Sequence, residues 1–483
     1  MSDNFDTRKR WLALMVVCLG VLMIVLDVTI VNVALPSIQA DLGFSETSLV
    51  WVVNAYLLTF GGFLLLGGRL GDLFGHRKLF LMGIAVFTLA SVACGIANSQ
   101  TLLIGARVAQ GLGGAVVDAV ALSLLVNLFT EPEERAKAMG VYGFVCAGGG
   151  TIGVLLGGVL TSTLNWHWIF LVNLPIGIAV YALCLRLLPK DGERTTQGRL
   201  DFAGAATVTL ALLLAVYAIV NGNEAGWTSA QTVALLGAAC ALLALFVGIE
   251  ARVANPLLPL GLLHKRNVAT ANALAALWAA SMFAWMFLSA LYMQLVLGYS
   301  PIQVGLAFLP TNLIMAFFSL GLSAKLVMRF GIRWPLVMGL LTATAGLALF
   351  ARAPVNGYFA IDLLPGMVLL GVGAGIAFNP ILLAAMSDVA PSESGLASGI
   401  VNTAFMMGGA LGLAALASLA SARTNSLLTS SDVAAVALHA GYQLAFIAAA
   451  AFSATAAVLG AVFLRDSVRA ASPDGEIATG SNT

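Results

Sequence analysis

Asp27, Arg107 and Asp118 are the only charged residues that lie deep inside the long apolar stretches of this sequence. A charged side chain at the centre of a bilayer costs at least about 3 kcal/mol on insertion scales, so such residues usually have a function. A carboxyl group that passes between water and an apolar environment can change its protonation state. We therefore expect Asp27 to exchange protons with one side of the membrane.

The helical positions of these residues predict which of them meet. At about 1.5 Å per residue, Asp27 lies about 24 Å from the start of the first apolar segment, and Arg107 about 8 Å from the opposite end of the fourth. The two residues should share a depth, where they could also form a static ion pair that serves folding alone. Asp118 falls on the same helical face as Arg107, about 16 Å lower. It is a candidate for binding cationic substrates, unless it reaches water at the helix end.

The ninth apolar segment carries a group of aromatic side chains. Trp278, Trp285 and Tyr292 could face an organic cation, because aromatic rings attract positive charge. Packing in the core or against lipid is the alternative interpretation. With Asp118, these residues form the predicted substrate-binding set.

The composition decides the environment of these residues. Of the 483 residues, 60% are hydrophobic and only 9% are charged, against roughly 25% charged in soluble domains. The mean hydropathy is +0.98 and the formal net charge is +1. The chain must lie in a lipid bilayer, and nothing in its charge predicts nucleic acid as a partner.

Several other kinds of site have no support in the sequence. The five cysteines form no C-x-x-C pair, so we expect core thiols and no metal site. No phosphate-binding loop of the G-x-x-x-x-G-K-[ST] type occurs, which argues against transport driven by ATP. No clustered catalytic set is present either. We therefore predict neither an enzyme nor a bound cofactor.

Fourteen apolar segments have the length that spans a membrane. The fold class is therefore predicted to be an all-α polytopic membrane protein. The segments lie at 11–32, 49–68, 78–97, 102–126, 137–160, 168–188, 202–222, 230–250, 269–294, 303–326, 334–352, 359–383, 397–419 and 441–464.

The basic residues predict the orientation. Twenty of the 23 Lys and Arg residues lie at the N-terminus, in alternate loops or after the last segment, while the opposite loops hold only Arg352 and Arg423. Because basic residues concentrate in cytoplasmic loops, both termini are predicted to be cytoplasmic.

An internal repeat predicts the domain organisation. The stretch 69–83 recurs at 325–339 with a constant offset of 256 residues, and the matches include Gly75 with Gly331 and Arg77 with Arg333. Two six-helix bundles with an inserted helix pair follow from this register. Their predicted bounds are 1–190, 191–266 and 267–465, followed by a disordered tail at 466–483.

Three motifs carry a resemblance to a known family across nearly the whole chain. They are the loop Gly68-x-Leu-x-Asp72-x-x-Gly75-His-Arg77-Lys, the Asp27-Val-Thr-Ile-Val-Asn-Val-Ala-Leu-Pro36 segment and the Trp166-His-Trp-Ile-Phe-Leu-Val-Asn-Leu-Pro-Ile-Gly177 segment. Together they are similar to the fourteen-helix drug/proton antiporter branch of the major facilitator superfamily. The resemblance implies a polyspecific exporter of hydrophobic, often cationic compounds that is driven by inward proton flow.

The resemblance also suggests roles for particular residues. Arg107-Val-Ala-Gln-Gly111 matches a fourth-helix motif whose arginine is associated with proton coupling. In the loop, Gly68, Asp72, Gly75 and Arg77 are predicted to form a gate through a tight turn and contacts made in only one conformation. Positive charges that merely anchor the loop are the alternative.

A stripe of small residues in the fifth segment resembles the antiporter motif of the same branch. It consists of Gly149, Gly153, Gly157 and Gly158, a spacing that lets another helix approach closely. Packing alone would also explain it.

Other functions remain open at this point. The same scaffold could carry an endogenous metabolite or nutrient, or act as a receptor that transports nothing. The predicted partners are small organic molecules, protons and the lipid bilayer, and the chain is expected to act as a monomer in the cell membrane.

Overall fold

Over the residues that the structure describes, the chain forms fourteen long helical segments. The computed structural model describes residues 7–129, 131–189, 201–253, 256–389, 393–428 and 434–465. Within these ranges no strand occurs. The helices are α1 Thr7–Leu42, α2 Glu46–Phe74, α3 His76–Gly95, α4 Gln100–Leu128, α5 Pro132–Thr163, α6 Trp168–Leu187, α7 Phe202–Ala225, α8 Ala230–Glu250, α9 Arg266–Val296, α10 301–330, α11 Arg333–Phe350, α12 Phe359–Met386, α13 Ser394–Leu428 and α14 Ala434–Phe463.

The predicted fold class and the fourteen predicted segments are confirmed. Thirteen of the helices are long and apolar enough to cross a membrane by themselves. The remaining one, α10, is α-helical over Pro301–Phe317 and continues through a π-helical turn to Phe330. The predicted tail at 466–483 and residues 191–200 lie outside the described residues.

Helix ends are set by residues that satisfy free backbone groups. Ser45, Ser99 and Ser229 each accept a hydrogen bond from a backbone N–H of the first turn of α2, α4 and α8. Asp201 does the same for α7 through its bond from Gly204 N–H. These capping residues fix where each of the four helices begins. After each short loop the chain therefore crosses back through the membrane.

The repeat seen in the sequence has a structural counterpart. Gly75 and Gly331 both adopt positive φ, 104° and 79°, at the turns after α2 and α10, a conformation that favours glycine. Arg77 donates to the carbonyl of Leu185 near the end of α6, over 2.7 Å. Arg333 donates to the carbonyl of Ala461 near the end of α14. Each arginine thus binds the negative end of the last helix in its own bundle.

The two bundles meet along two seams. α2 packs against α13, where Asn54 Nδ2 donates to the carbonyl of Ala410 over 3.0 Å. α5 packs against α10 at the ends of these helices that lie away from the chain termini. We call this side the opposite face, and the side where α1 begins and α14 ends the terminal face. Gln294 of α9 also bridges to the carbonyl of Val33 in α1, over 2.9 Å.

The inserted pair covers one of the two seams. α7 contacts both α2 and α13, and Asn223 in α7 donates to the carbonyl of Ser418 in α13 over 2.7 Å. α8 packs on the outside of α7 and is largely exposed. One expectation is wrong here, because Cys240 in α8 is exposed and not a core thiol. Among the described residues α8 packs chiefly on α7, so the thiol on its outer side stays exposed.

Candidate functional site

Asp27 and Arg107 meet inside the first bundle. Their side chains are 0% and 1% exposed, and Arg107 Nη1 is bonded to Asp27 Oδ2. The depth that the sequence predicted for both residues is therefore confirmed. The partners are supplied by α1 and α4, which contact each other.

Gln110 completes the ion pair. Its Nε2 donates to Asp27 Oδ1 over 2.7 Å, and its Oε1 accepts from Arg107 Nη1 over 2.6 Å. One helical turn separates Gln110 from Arg107, which places both side chains on one face of α4. The amide therefore holds the carboxylate and the guanidinium in one geometry.

Two further helices contribute to the same group. Ser91 in α3 accepts from Gln110 Nε2 over 2.8 Å. Asn173 in α6 lies 3.4 Å from Ser91 Oγ and 3.5 Å from Asp27 Oδ1. We call Asp27, Ser91, Arg107, Gln110 and Asn173 the buried polar cluster. Sequence reasoning did not assign a role to Ser91, Gln110 or Asn173, although the last two stand in the motifs of the fourth and sixth segments.

Arg107 is also enclosed by α2 and α6. Its Nε donates to the carbonyl of Val52 over 2.9 Å. Its guanidinium carbon lies 4.4 Å from the ring centre of Tyr56 and 5.7 Å from that of Phe170, within the range of cation–π attraction. Two neighbouring helices and Gln110 of its own helix thus stabilise this buried cation besides the carboxylate.

This geometry restricts what Asp27 can do in the present conformation. Its two oxygens accept from Arg107, Gln110 and, at longer range, Asn173, which suits an ionised carboxylate. The side chain is fully buried, so water cannot reach it without a movement of the surrounding helices. Proton exchange at Asp27 therefore requires a second conformation.

Asp118 lies elsewhere on α4 and is half-buried. Its carboxylate is a hydrogen-bond partner of Tyr142 on α5. No ion pair to Asp118 occurs among the described residues. The structure therefore separates Asp118 from the buried polar cluster and leaves its carboxylate without a fixed cation.

The three aromatic candidates are buried in the second bundle. Trp278 and Tyr292 are each 1% exposed and Trp285 is 3% exposed. Trp285 packs edge-on against Phe308 and Phe350 at 5.5 Å and 5.7 Å between ring centres. Tyr292 donates its hydroxyl hydrogen to the carbonyl of Pro354 over 2.7 Å. In this conformation the three side chains contribute to packing between helices.

A small cavity, with room for little more than a water molecule in this conformation, lies in the second bundle. It is lined by side chains of α9, α12 and α13, including Phe378, Asn402 and Phe405. The Phe378 and Phe405 rings lie edge to face at 6.0 Å. Sequence reasoning missed these residues, because aromatic residues in apolar helices give no signal of the direction they face.

The loop between α2 and α3 has the tight turn that its glycines predict. Gly75 donates its N–H to the carbonyl of Gly71 over 3.1 Å and takes the positive φ given above. A Cβ at Gly68 would meet no atom within 4 Å. The side chain of Asp72 lies outside the described residues. Arg77, as described, binds the end of α6.

The glycine stripe of α5 faces two different partners. A Cβ at Gly149, Gly153 or Gly157 would stand within 3.0 Å of atoms in α1. A Cβ at Gly158 would instead stand 2.8 Å from the carbonyl oxygen of Pro301, in the other bundle. Three glycines therefore allow packing within the first bundle, and Gly158 allows the two bundles to touch at the opposite face.

Gly158→Val should therefore disturb the contact between the bundles. The added side chain has no room beside Pro301 and Ile302, so we expect the opposite face to close less often. The measurement is labelling of a cysteine placed at Ser162, whose hydroxyl accepts from the N–H of Ile302 over 3.1 Å, with a membrane-impermeant thiol reagent. Labelling should rise in Gly158→Val and stay unchanged in Gly148→Val, since a Cβ at Gly148 meets nothing within 4 Å. Equal labelling in both would contradict this role.

The sequence matches a known family over most of its length. The profile of the Major Facilitator Superfamily matches residues 17–413. The puromycin resistance protein pur8 of Streptomyces alboniger is 40% identical over 94% of this chain and 90% of its own. The cephamycin export protein CmcT of Amycolatopsis lactamdurans is 39% identical over 94% and 92%. The lincomycin resistance protein of Streptomyces lincolnensis is 34% identical over 86% and 85%.

Solved structures of transporters share the fold. A bacterial homologue of the human lysosomal transporter Spinster, in an inward-facing and unoccupied conformation, gives a TM-score of 0.65 at 17% identity, over 94% of this chain and 97% of that one. The xylose transporter XylE from E. coli, in an inward open conformation, gives 0.63 at 14% identity, over 95% and 97%. At these identities the likeness concerns the fold alone.

Proposed function

The chain belongs to the Major Facilitator Superfamily, and from this we propose that it exports hydrophobic or cationic drugs and toxic organic compounds in exchange for protons. It is a multi-pass membrane transporter and not an enzyme. The observation that carries the proposal is the 40% and 39% identity, over 94% of this chain, to proteins named for puromycin resistance and cephamycin export.

The buried polar cluster supports proton coupling. Asp27 is the acidic member and Arg107 its cationic partner, and helix movement would separate the carboxylate from its donors and admit water. Protonation would then neutralise Asp27 when the ion pair is open. Reformation of the pair would require that proton to leave. Alternation between these two forms couples the position of the helices to a proton.

Recognition of the drug is assigned to two regions. Asp118 has a carboxylate without a fixed cation and is the candidate for a positively charged substrate. The cavity at Phe378, Asn402 and Phe405 offers aromatic surface beside one amide group. Substrate could contact the buried aromatic side chains only in a second conformation that exposes them. These are Trp278, Trp285 and Tyr292.

Proteoliposomes with an imposed pH gradient test the function. Purified protein should drive lipophilic cations against their gradient when protons flow the other way, and empty vesicles should not. Transport that does not depend on the pH gradient would contradict proton coupling. Gradient-driven transport of an endogenous metabolite or nutrient with no drug transported would favour the alternative carrier, and no transport of any solute would favour a receptor.

Asp118→Asn should weaken transport of permanently charged cations. If the carboxylate contributes about 1.5 kcal/mol to binding, the KM for such cations rises roughly tenfold. Neutral substrates should keep their KM, because Asn has nearly the same shape without the charge. Initial rates over a concentration series of both substrate classes provide the measurement, at matched abundance in the membrane. An equal loss for both classes would indicate a structural role.

The orientation and organisation form part of the proposal. We place the protein in the cell membrane as a monomer, with both termini in the cytoplasm. Its domains lie at 1–190, 191–266 and 267–465. Reporter fusions after Asn98 and Glu224 should then be active outside the cell. A cytoplasmic result after Glu224 would contradict the insertion of α7 and α8; the loop at Asp432 lies outside the described residues.

A further inference from the structure

Two acidic residues meet at the base of the inserted helix pair, away from the buried polar cluster. Asp201 precedes α7 and is 5% exposed, and Glu250 ends α8 and is 3% exposed. Buried carboxylates are normally paired with cations or hydrogen-bond donors. Their positions on the terminal face also place them outside the region that contains Asp27.

One oxygen of each carboxylate accepts a hydrogen bond from a backbone N–H group. Asp201 Oδ1 accepts from the N–H of Gly204 over 2.7 Å, which caps α7. Glu250 Oε2 accepts from the N–H of Leu258 over 3.0 Å, in the segment that leads to α9. The other two oxygens, Asp201 Oδ2 and Glu250 Oε1, are buried and accept no hydrogen bond from any of the described residues.

The two unpartnered oxygens point at one place. A Cβ on Gly204 would stand 2.4 Å from Asp201 Oδ2 and 2.8 Å from Glu250 Oε1. The two oxygens are therefore at most about 5 Å apart, and the carboxyl groups interact with each other. A hydrogen bond between them needs one proton, because an ionised carboxylate can only accept.

No cation of the described chain replaces that proton. Lys190, Arg194 and Arg199, in the segment before Asp201, lie outside the described residues. Lys265 pairs with Glu393, and Arg266 donates to carbonyls at the end of α14. Arg69 at the end of α2 and Arg252 after α8 are exposed. Neither forms an ion pair with Asp201 or Glu250, and the ring of His264 contacts the carbonyl of Leu260 instead. Around the pair, Leu66, Ala205 and Leu257 form an apolar cluster, so water offers little screening.

We propose that Asp201 and Glu250 share one proton and form a second proton-binding site, distinct from Asp27, at the base of the inserted helix pair. The bound proton joins the start of α7 to the segment between α8 and α9. Its loss leaves two negative charges side by side in an apolar setting, which repel each other and loosen this joint. The site does not depend on which compound the protein transports.

Infrared spectroscopy of the full-length protein at neutral pH tests the shared proton. The wild-type spectrum should contain a protonated carboxyl band that shifts in D2O and is lost in Glu250→Gln. Asp201→Asn should lose the same band, and it serves as the second variant if Glu250→Gln does not fold. The control Glu133→Gln removes a carboxylate whose side chain is 84% exposed and should keep the band. Spectra that are the same in wild type, Glu250→Gln and Asp201→Asn would overturn the proposal.

Thermal unfolding adds an independent readout. A proton bound only by the folded protein makes stability fall as pH rises. The wild-type protein should therefore lose stability as the pH rises above about 4, where the unfolded chain releases its carboxyl protons, relative to Glu250→Gln, whose amide donates at every pH. A wild-type protein that lacks the band and is instead stabilised by added Ca²⁺, with no such effect in Glu250→Gln, would show a metal site and overturn the shared proton.

Discussion

Asp27→Asn should abolish efflux driven by a pH gradient while the protein still binds substrate and exchanges it downhill. The amide resembles the protonated carboxyl group but cannot release a proton, so the coupling step is blocked. The amide has the volume of the carboxyl group, and its oxygen can still accept a hydrogen bond from Gln110 or Arg107. Paired assays in proteoliposomes, one with an imposed pH gradient and one with substrate on both sides, separate the two activities.

Asp41→Asn provides the matched control. Asp41 lies on the same helix, and its Oδ2 accepts from Trp166 Nε1 over 2.9 Å, far from the buried polar cluster in sequence and contacts. The same chemical change there should leave gradient-driven efflux intact. If Asp27→Asn also transports at the wild-type rate at equal abundance, Asp27 is not the proton site and the pair with Arg107 is structural.

Arg107→Gln should strongly reduce folded protein in the membrane. Arg107→Gln leaves the Asp27 carboxylate buried without its cation, which costs about 3–5 kcal/mol. The loss here includes the bonds to Asp27, to Gln110 and to the carbonyl of Val52. In Asp27→Asn, by contrast, the guanidinium keeps its contacts with Val52, Gln110 and Tyr56. The measurement is the monodisperse fraction of solubilised protein and its unfolding temperature.

The double variant Asp27→Asn with Arg107→Gln separates folding from coupling. With both charges removed, no buried charge lacks a partner, so abundance should recover toward that of Asp27→Asn alone. Gradient-driven efflux should remain absent, because no group is left to carry the proton. Recovery of gradient-driven efflux would place the proton site elsewhere, and a double variant as unstable as Arg107→Gln would show that the guanidinium has a structural role beyond its pair with Asp27.

The sequence by itself determined the fold class, the fourteen segments and the shared depth of Asp27 and Arg107. An apolar stretch of about twenty residues identifies a transmembrane helix, because the thickness of the bilayer sets a similar minimum length for every such helix. The constant rise of a helix then converts residue numbers into depth. The repeat register likewise anticipated that Gly75 and Gly331, and Arg77 and Arg333, would occupy equivalent turns.

Only the tertiary structure decided which side chains share a site. Depth along a helix says nothing about which neighbour a face meets, since helix rotation and packing order follow from many weak contacts between helices. Hence Ser91 and Asn173 join the buried polar cluster, whereas Trp278 and Trp285 turn into the packed interior. Nothing in the sequence indicated that Asp201 would meet Glu250, 49 residues away. Both residues lie at helix ends, where charged residues are common in membrane proteins. Only the packing of the folded chain buries the two side chains against each other.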